Sequence, residues 1–496
     1  MLACTMLRRL PALLAFALLL PVAPPAFAQS TAATADCTAD VDLTADRGLT
    51  VAVDYRCRSA APVTFSAASD AAAAHVMTVT DNAGRSIPRS GTTWRAEQAN
   101  GAVELRYRLD LMAYAKDLNM PTEAIARGGG VMTLLEGWLL EPRGLSRLPV
   151  IDIRVKAGEG LSFASGLPRV GDAWRLQGTP VRFAGYSALG KFTLQEIAVP
   201  MPGSLRPGQA RQEGVLRLAL LDGVSSQGRA DLVDWVRRTA EAESNYWRGF
   251  TADRMMLGIV PMATPRSVGF GRTVSGGGAT VMLEVGEQVD KRRLYDQWTL
   301  VHELIHTGMP YVENRGTWLM EGAATYVEPI IRARAGWKTE AEAWKEWIDN
   351  MPRGAIAFDV GLRNASGQQN YWGGAIFMLL ADVGLRRATR GAKGLEDCLG
   401  GVLWNGFDAT TRVSVREFAA ACDRATGSKV VSDLVERHYA REEPIDLAAL
   451  WKRLGVAEVN GSIVFDDKAP DAEWRKMIVM GPSDRPSRPV KLPWQS

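Results

Sequence analysis

Two histidines, His302 and His306, lie four residues apart in the sequence VHELIH. In an α-helix, residues i and i+4 lie on the same face, so both imidazoles can bind one metal ion. Glu303 follows the first histidine, where its carboxylate can act as a general base on a water beside the ion. Because the chain has only four histidines, this spacing is seldom accidental. The sequence predicts a catalytic zinc site, with Glu303 as the catalytic base.

A third ligand is predicted in the sequence WLMEGAATY, which begins at Trp318 and contains Glu321. A catalytic zinc ion commonly has three protein ligands and an open position for water. The interval after His306 is long enough for a loop and the start of a second helix. The predicted site is one Zn²⁺ per chain, held by His302, His306 and Glu321. A solvated surface carboxylate is the alternative for Glu321, and its apolar neighbours favour the site. Glu328, two turns on, is predicted to be a surface charge rather than a supporting residue.

Helical periodicity predicts the elements that must position these residues. Helices are expected at 230–248, 294–307, 317–334, 340–351, 371–390 and, with interruptions, 413–450. Two apolar stretches, 255–262 and 275–283, are predicted to be strands. The metal ligands would then lie on two consecutive helices that follow a pair of strands.

The first part of the chain has a different pattern. Apolar and polar residues alternate, or nearly alternate, at 51–55, 76–80, 103–107 and 151–155, with turn residues between them. This pattern is typical of antiparallel strands. We therefore predict an N-terminal antiparallel β-sandwich-like domain, followed by a Pro- and Gly-rich linker at 200–214, in an α+β multidomain protein.

The N-terminus predicts export. Arg8 and Arg9 precede an apolar run at 10–20, and the sequence AFA at 26–28 fits a cleavage site for a signal peptide. The run is too short and too rich in proline to be a membrane anchor, and no other stretch is long and apolar enough to span a bilayer. The mature protein is predicted to be periplasmic or secreted, with no membrane span.

Four cysteines remain after the predicted cleavage. An exported compartment permits disulfide bonds, and local pairing is the simplest of three connectivities. The pairs would be Cys37 with Cys57, and Cys398 with Cys422. Four free buried thiols are the alternative.

The paired motifs HELIH and WLMEGAATY resemble those of gluzincin peptidases, which include the aminopeptidase N and glycyl aminopeptidase families. In these families the glutamate of the second motif is the third zinc ligand. The sequence NYWGGAIFMLLAD, which begins at Asn370, resembles the Tyr-x-x-Gly helix of the glycyl aminopeptidase family. The resemblance implies that Tyr371 donates a hydrogen bond to the oxygen that becomes negative during hydrolysis. Tyr326 is a rival donor because it follows Glu321 by little more than one turn.

The resemblance also implies a β-rich N-terminal domain, a thermolysin-like catalytic domain and a helical C-terminal domain. The predicted divisions are a signal peptide at 1–28, the β-rich domain at 29–199, the catalytic domain at 200–400, the helical domain at 401–481 and a poorly ordered tail at 482–496.

One departure from the resembling families concerns substrate recognition. Their aminopeptidases carry Gly-x-Met/Leu-Glu before the metal helix, and that glutamate binds the free amine of the substrate. The corresponding sequence here is predicted to be GGAT at 277–280, with Thr280 in the position of the glutamate. Glu284 and Glu287 are the nearest carboxylates that could replace it. We therefore predict weak or absent aminopeptidase activity.

These observations predict a zinc-dependent peptidase whose substrate is a peptide or protein. The net charge of +3 indicates no electrostatic footprint for nucleic acid. Two alternatives remain open: an exported binding protein that keeps zinc without catalysis, and a zinc hydrolase that acts on an ester or a non-peptide amide.

Overall fold

The computed structural model describes residues 34–45, 48–199, 214–252, 254–263, 267–274, 276–482 and 487–495. The predicted signal peptide and nearly all of the predicted linker at 200–214 lie outside the described residues.

The N-terminal region is rich in short strands. Its strands are β1 (Cys37–Thr44), β2 (Thr50–Arg58), β3 (Val63–Ser66), β4 (Val76–Thr80), β5 (Arg89–Ser90), β6 (Thr93–Ala96), β7 (Gln98–Ala99), β8 (Ala102–Asp110), β9 (Ala124–Arg127), β10 (Gly130–Leu134), β11 (Glu141–Arg143), β12 (Ile151–Ala157), β13 (Ser162–Ser165), β14 (Arg169–Val170), β15 (Ala173–Leu176) and β16 (Tyr186–Gly190). Two short helices, α1 (Asp70–Ala74) and α2 (Leu111–Leu118), lie between strands.

These strands form one large sheet and two smaller sheets around a shared apolar core. The large sheet has the order β14-β15-β12-β1-β2-β8-β4, and β7 also pairs with β8. Its inner strands alternate buried and exposed residues, as the sequence pattern predicted. β1 and β12 run parallel, however, so the sheet is mixed rather than purely antiparallel. A long connection separates these two strands, and only such a connection permits parallel pairing.

A separate five-stranded sheet begins where the N-terminal strands end. This part of the chain contains β17 (Thr193–Val199), β18 (Gly214–Leu220), α3 (Ser226–Trp247), β19 (Arg254–Met262), β20 (Val268–Val274), β21 (Ala279–Gly286), α4 (Lys291–Asp296), α5 (Thr299–Thr307), β22 (Tyr311–Val312), which lies outside this sheet, and α6 (Thr317–Arg334). The strand order is β17-β18-β19-β21-β20. β18, β19 and β21 are parallel, whereas β20 is antiparallel to β21 and forms an edge of the described sheet.

The rest of the chain is mainly helical. It contains α7 (Glu340–Asn350), α8 (Ile356–Val360), a π-helical turn (Gln369–Gly373), α9 (Gly374–Ala388), α10 (Leu395–Trp404), β23 (Arg412–Val413), α11 (Val415–Thr426), α12 (Val430–His438), α13 (Leu447–Leu454), β24 (Val456–Val459), β25 (Ser462–Phe465) and α14 (Ala472–Met480). These helices share one apolar core with α5 and α6.

The predicted metal helix at 294–307 is divided in the structure into α4 and α5. Gln297 has an extended backbone between them, with φ −80° and ψ 139°. Arg332 of α6 donates hydrogen bonds from Nη2 to the carbonyl oxygens of Tyr295 and Asp296, at 3.3 and 3.1 Å. These carbonyls at the end of α4 are therefore satisfied without continuing the helix. A contact from a distant helix thus determines a boundary that periodicity alone does not.

Both predicted disulfide pairings are confirmed. Cys37 is bonded to Cys57 across the neighbouring strands β1 and β2, and Cys398 of α10 is bonded to Cys422 of α11. The alternative of four free thiols is therefore wrong.

Described residues near the C-terminus lie against the helical core, although their composition predicted poor order. The amide of Val490 donates to the carbonyl oxygen of Ala335, and the indole of Trp337 donates to that of Val490. Trp494 packs edge-on against Tyr295, with 5.4 Å between the ring centroids. Apolar side chains anchor this segment. Within the described ranges, we find no helix that combines the length and the apolar character needed to cross a bilayer.

Candidate metal centre and substrate cleft

The structure brings together the three predicted metal ligands. Nε2 of His302 lies 3.2 Å from Oε2 of Glu321, and Nε2 of His306 lies 3.5 Å from the same oxygen. One ligand atom from each residue can be chosen so that all three lie within 4.8 Å of one another. No other such group of three appears among the described histidine, cysteine, aspartate and glutamate residues.

This donor set fits a zinc ion. Ligand atoms at 2.0–2.1 Å from one tetrahedral Zn²⁺ are separated from each other by about 3.3–3.4 Å. The two distances from His302 and His306 to Glu321 fall on either side of this value. Two imidazoles and one carboxylate also form a usual ligand set for a catalytic zinc, with one position left for water.

The charges of the three side chains are strongly linked. Burial raises the pKa of the Glu321 carboxyl, but the neighbouring His306 and His302 outweigh burial and hold that pKa well below its usual range. Burial lowers the pKa of the His306 imidazole, but the charge and hydrogen bond of Glu321 raise it above its ordinary value. The site therefore concentrates negative charge where a cation can replace protons.

Close helix packing positions these ligands. A Cβ atom at Gly322 of α6 would collide with the backbone of Gly374 at the start of α9, and one at Gly374 would collide with the carbonyl of Trp318. The two glycines therefore let α6 and α9 approach closely enough for their backbones to touch. This contact explains the Gly of the Tyr-x-x-Gly motif, because it brings the turn that carries Tyr371 over the metal ligands.

Glu303 is buried in α5 and lines the same cleft as the three ligands. Thr273 of β20 contacts it twice: Oγ1 lies 2.8 Å from the backbone oxygen of Glu303 and 2.8 Å from its Oε2. Gly271 of the same strand lies so close that an added Cβ would be 2.8 Å from Cγ of Glu303. The edge strand therefore restricts where the carboxylate of Glu303 can point.

The two tyrosines proposed for the oxyanion role have different environments. Tyr371 lines the cleft, and its ring stacks on that of His302 with 6.0 Å between centroids. Burial, with the nearby charges of Glu321 and Glu303, raises the pKa of Tyr371 to about 12, so its hydroxyl remains a donor at neutral pH. Tyr326 is fully buried, and its hydroxyl lies 3.1 Å from Oδ2 of Asp382. Only Tyr371 of this pair faces the site.

The cleft has a volume of about 630 Å³. One wall is β20, whose outer edge has no strand partner among the described residues. Four aromatic side chains, which we call the aromatic rim, line it although each is at least 36% exposed: Phe183, Phe270, Trp298 and Tyr311. A free strand edge beside exposed aromatic rings can bind an extended peptide through backbone hydrogen bonds and side-chain contacts.

Two sequence predictions near the site are wrong. Thr280 does not face the cleft: it is fully buried in β21, where its Oγ1 accepts from the backbone amide of Tyr186 and donates to the carbonyl of Val274. The strand beside the ligands is β20. Glu328 is not a surface charge, because it is 2% exposed and forms an ion pair with Arg332 at 3.0 Å.

The strand that forms the cleft wall was not predicted from the sequence. β20 has the sequence VGFGRTV, in which two glycines alternate with Phe270 and Arg272. The glycines conceal the apolar alternation by which strands are recognised, although a glycine in a strand is itself a sign of close backbone approach. Gly271 could therefore have indicated a strand that lies close to another element.

Comparison with known proteins identifies the fold. No protein-family model and no curated protein matches the sequence. The structure resembles that of an aminopeptidase N family protein from Idiomarina loihiensis, with 15% identity, a TM-score of 0.59, and coverage of 85% of this chain and 78% of the other. It also resembles an M1 zinc metallopeptidase from Deinococcus radiodurans, with 13% identity, a TM-score of 0.50, and coverage of 83% and 95%.

These identities are low, so the likeness concerns the fold. The chain has the mixed α+β fold of the M1 zinc metallopeptidases. The predicted resemblance to aminopeptidase N is therefore confirmed at the level of the fold. The closer resemblance to the glycyl aminopeptidase family stays a prediction.

Proposed function

We propose that this protein is an exported zinc-dependent peptidase. The observation that carries the proposal is the convergence of His302, His306 and Glu321 in a cleft that also contains Glu303 and Tyr371. A binding protein that keeps zinc for structure usually surrounds it with four protein ligands. Three ligands that open into a 630 Å³ cleft favour catalysis instead.

Each residue has a distinct proposed role. His302, His306 and Glu321 would hold one Zn²⁺ per chain. When bound, the ion supplies Lewis-acid chemistry that polarises a carbonyl and makes water a nucleophile near neutral pH. Glu303 would take the proton from the attacking water and deliver it to the leaving amine.

Tyr371 would stabilise the negative charge that develops on the carbonyl oxygen of the substrate. Tyr371 lines the cleft beside His302, and its raised pKa keeps its hydroxyl protonated at neutral pH, as an oxyanion donor must be. The role assigned to it by resemblance is therefore supported by its position, whereas the buried contact of Tyr326 with Asp382 supports a packing role for that residue.

The substrate class is proposed from the shape of the cleft. An extended peptide can add to the free edge of β20, where it would pass directly beside Glu303. A small ester or non-peptide amide would leave this edge unused, so a peptide is the preferred substrate. Export is proposed from the signal-like N-terminus, and the two disulfides are compatible with it.

The decisive experiment combines metal analysis with digestion of a peptide library by the mature protein. We expect about one zinc per chain and cleavage that a chelator abolishes and added zinc restores. Glu303→Gln serves as the control, because it should keep zinc and lose activity. A protein that holds zinc but cleaves no peptide, while it hydrolyses esters, would instead identify the zinc hydrolase alternative.

A further inference from the structure

The cleft contains charges that the proposed chemistry does not use. Among its described lining residues, the carboxylates are Glu303 and Glu321, and both already have proposed roles at the metal. The other charged lining residues are two arginines, Arg272 of β20 and Arg412 of β23. The lining therefore offers no spare carboxylate for a substrate ammonium group, but it offers two guanidinium groups.

Arg272 has unused capacity to bind an anion. Its Nη1 donates a hydrogen bond to the carbonyl oxygen of Thr122, at 3.2 Å, and its guanidinium also lies beside the hydroxyl of Tyr186. Among the described residues, no carboxylate lies within 4.0 Å of its guanidinium, as an ion pair would require. A guanidinium has five N–H donors and matches a carboxylate with two parallel hydrogen bonds. Arg272 lines the cleft, and no ion pair with a described carboxylate occupies these donors.

The carboxyl groups behind Arg272 do not neutralise it by direct contact. Arg272 acts electrostatically on Glu136 of the N-terminal region, whose pKa is raised to about 7 by burial and by Glu123 and Glu141. Arg272 and Arg182 oppose that rise. Glu136 is thus partly protonated near neutral pH, and it is absent from the lining of the cleft.

Arg412 is more constrained. Its Nε pairs with Glu313 at 2.7 Å, and its guanidinium lies over the rings of Tyr311 and Phe183, at 4.4 and 5.1 Å from the centroids. The ion pair offsets part of its charge. We therefore assign the main anion contact to Arg272, with Arg412 holding two members of the aromatic rim in place.

The position of Arg272 links this charge to the reacting groups. It is adjacent in β20 to Thr273, which contacts the carboxylate of Glu303. Neighbouring residues of a strand are about 3.8 Å apart at Cα and point to opposite faces. A peptide along the edge of β20 would pass Glu303 and Arg272 within one or two residues of each other.

We propose that the cleft binds peptides that carry a carboxylate close to the cleaved bond, and that Arg272 binds this carboxylate. The inference rests on the proposed peptidase function and specifies its substrate class. The carboxylate can belong to an acidic side chain or to a free C-terminus, since both present the same group to a guanidinium.

The test uses a glutamate scan through an eight-residue peptide, blocked by N-acetyl and C-terminal amide groups. Each peptide has a partner with glutamine at the same position, and one all-neutral peptide has a free C-terminus. Binding is measured by calorimetry on the zinc-loaded Glu303→Gln protein, and cleavage is measured on the wild type. We expect one glutamate position, or the free C-terminus, to raise affinity about 10- to 100-fold over its neutral partner.

Variants then assign the effect to Arg272. Arg272→Gln should abolish the preference, and Arg272→Lys should keep part of it, because a lysine retains the charge without the bidentate geometry. Arg89→Gln, on the exposed strand β5, is the matched control and should leave the preference unchanged. Zinc content and melting temperature establish that each variant is folded.

The outcomes separate this inference from the function on which it rests. Cleavage without any preference for a carboxylate, or a preference that Arg272→Gln does not alter, would overturn the anion site and leave the peptidase proposal intact. A carboxylate preference in binding, without cleavage by the wild type, would support the anion site and overturn the peptidase proposal. The free-carboxyl peptide identifies which source of carboxylate is used.

Discussion

Two walls of the cleft are built in opposite ways. The metal wall, formed by α5 and α6, presents His302, His306 and Glu321 from helices that are buried on most sides. The strand wall, formed by β20, is an exposed edge with two glycines and only one neighbouring strand among the described residues. One wall is embedded in the apolar core, and the other faces the space where a substrate would lie.

This difference separates chemistry from recognition. Metal ligands must stay within a few tenths of an ångström of their positions, which buried and closely packed helices can ensure. A strand edge has to receive many different peptides, so it offers backbone hydrogen bonds and few fixed side chains. Substitutions on the metal wall should therefore abolish turnover, whereas those on the strand wall should reduce it or change which peptides are cleaved.

The largest effect is expected from His306→Ala. This change removes one of three ligands, so tight zinc binding and all measurable peptidase activity should disappear. Metal analysis after dialysis, with activity before and after zinc addition, measures both. His75→Ala is the matched control, since His75 lies in the N-terminal region and pairs with Asp117. Full zinc content and full activity in His306→Ala would show that the ligand assignment is wrong.

Glu303→Gln should separate metal binding from catalysis. Glutamine keeps the size of the side chain but cannot accept a proton, and general acid–base catalysis contributes about 10²- to 10⁴-fold. Turnover should fall by that factor at unchanged zinc content. Glu284→Gln, a partly buried glutamate outside the cleft lining, is the control and should turn over normally. Near-normal turnover in Glu303→Gln would contradict the base and favour a site that binds zinc without this mechanism.

Tyr371→Phe should reduce turnover by about 10²- to 10³-fold, the usual effect of removing one oxyanion donor. Zinc content and substrate binding should persist, so the loss should appear mainly in kcat. Tyr326→Phe is the contrasting variant. Because the Tyr326 hydroxyl contacts the buried Asp382, removing it should destabilise the fold by about 1–3 kcal/mol and spare turnover. If Tyr326→Phe lost turnover while Tyr371→Phe kept it, Tyr326 would be the oxyanion donor.

Thr273→Val tests whether the strand wall orients the carboxylate of Glu303. Valine preserves the shape of threonine but removes the hydroxyl 2.8 Å from Oε2 of Glu303. Without this hydrogen bond the carboxylate is less well oriented, and turnover should fall about 10-fold at unchanged zinc content. Thr78→Val, at an exposed position of β4, is the control. If both variants behaved alike, β20 would have no part in orienting the base.

The smallest effect is expected from N-acetylation of the peptide substrate. N-acetylation removes the ammonium group of a peptide, and the described cleft lining contains no carboxylate beyond Glu303 and Glu321 to bind it. Rates on acetylated and free peptides of the same sequence should therefore differ little, as mass spectrometry of the products would measure. Efficient release of single N-terminal residues, abolished by acetylation, would mean that the cleft does recognise the amine.

Sequence alone determined the parts of this site whose geometry is local. Helical spacing places His302 and His306 on one face wherever α5 lies, and the loop after them is short enough to return Glu321 to their side. The bounds of α6 and β4 also match the predicted segments. Both disulfides join the cysteines that lie nearest along the chain, the simplest of the three possible connectivities.

Only the tertiary structure decided which segments face these ligands from a distance. The pairing of β20 with β21, the burial of Thr280 and the buried ion pair of Glu328 depend on contacts between elements that sequence patterns do not specify. The same holds for the choice between Tyr371 and Tyr326, which both lie on helices with apolar neighbours. A periodic pattern shows that a side chain is on a buried or exposed face of its own element. It does not show what packs against that face, because packing depends on the arrangement of all the elements together.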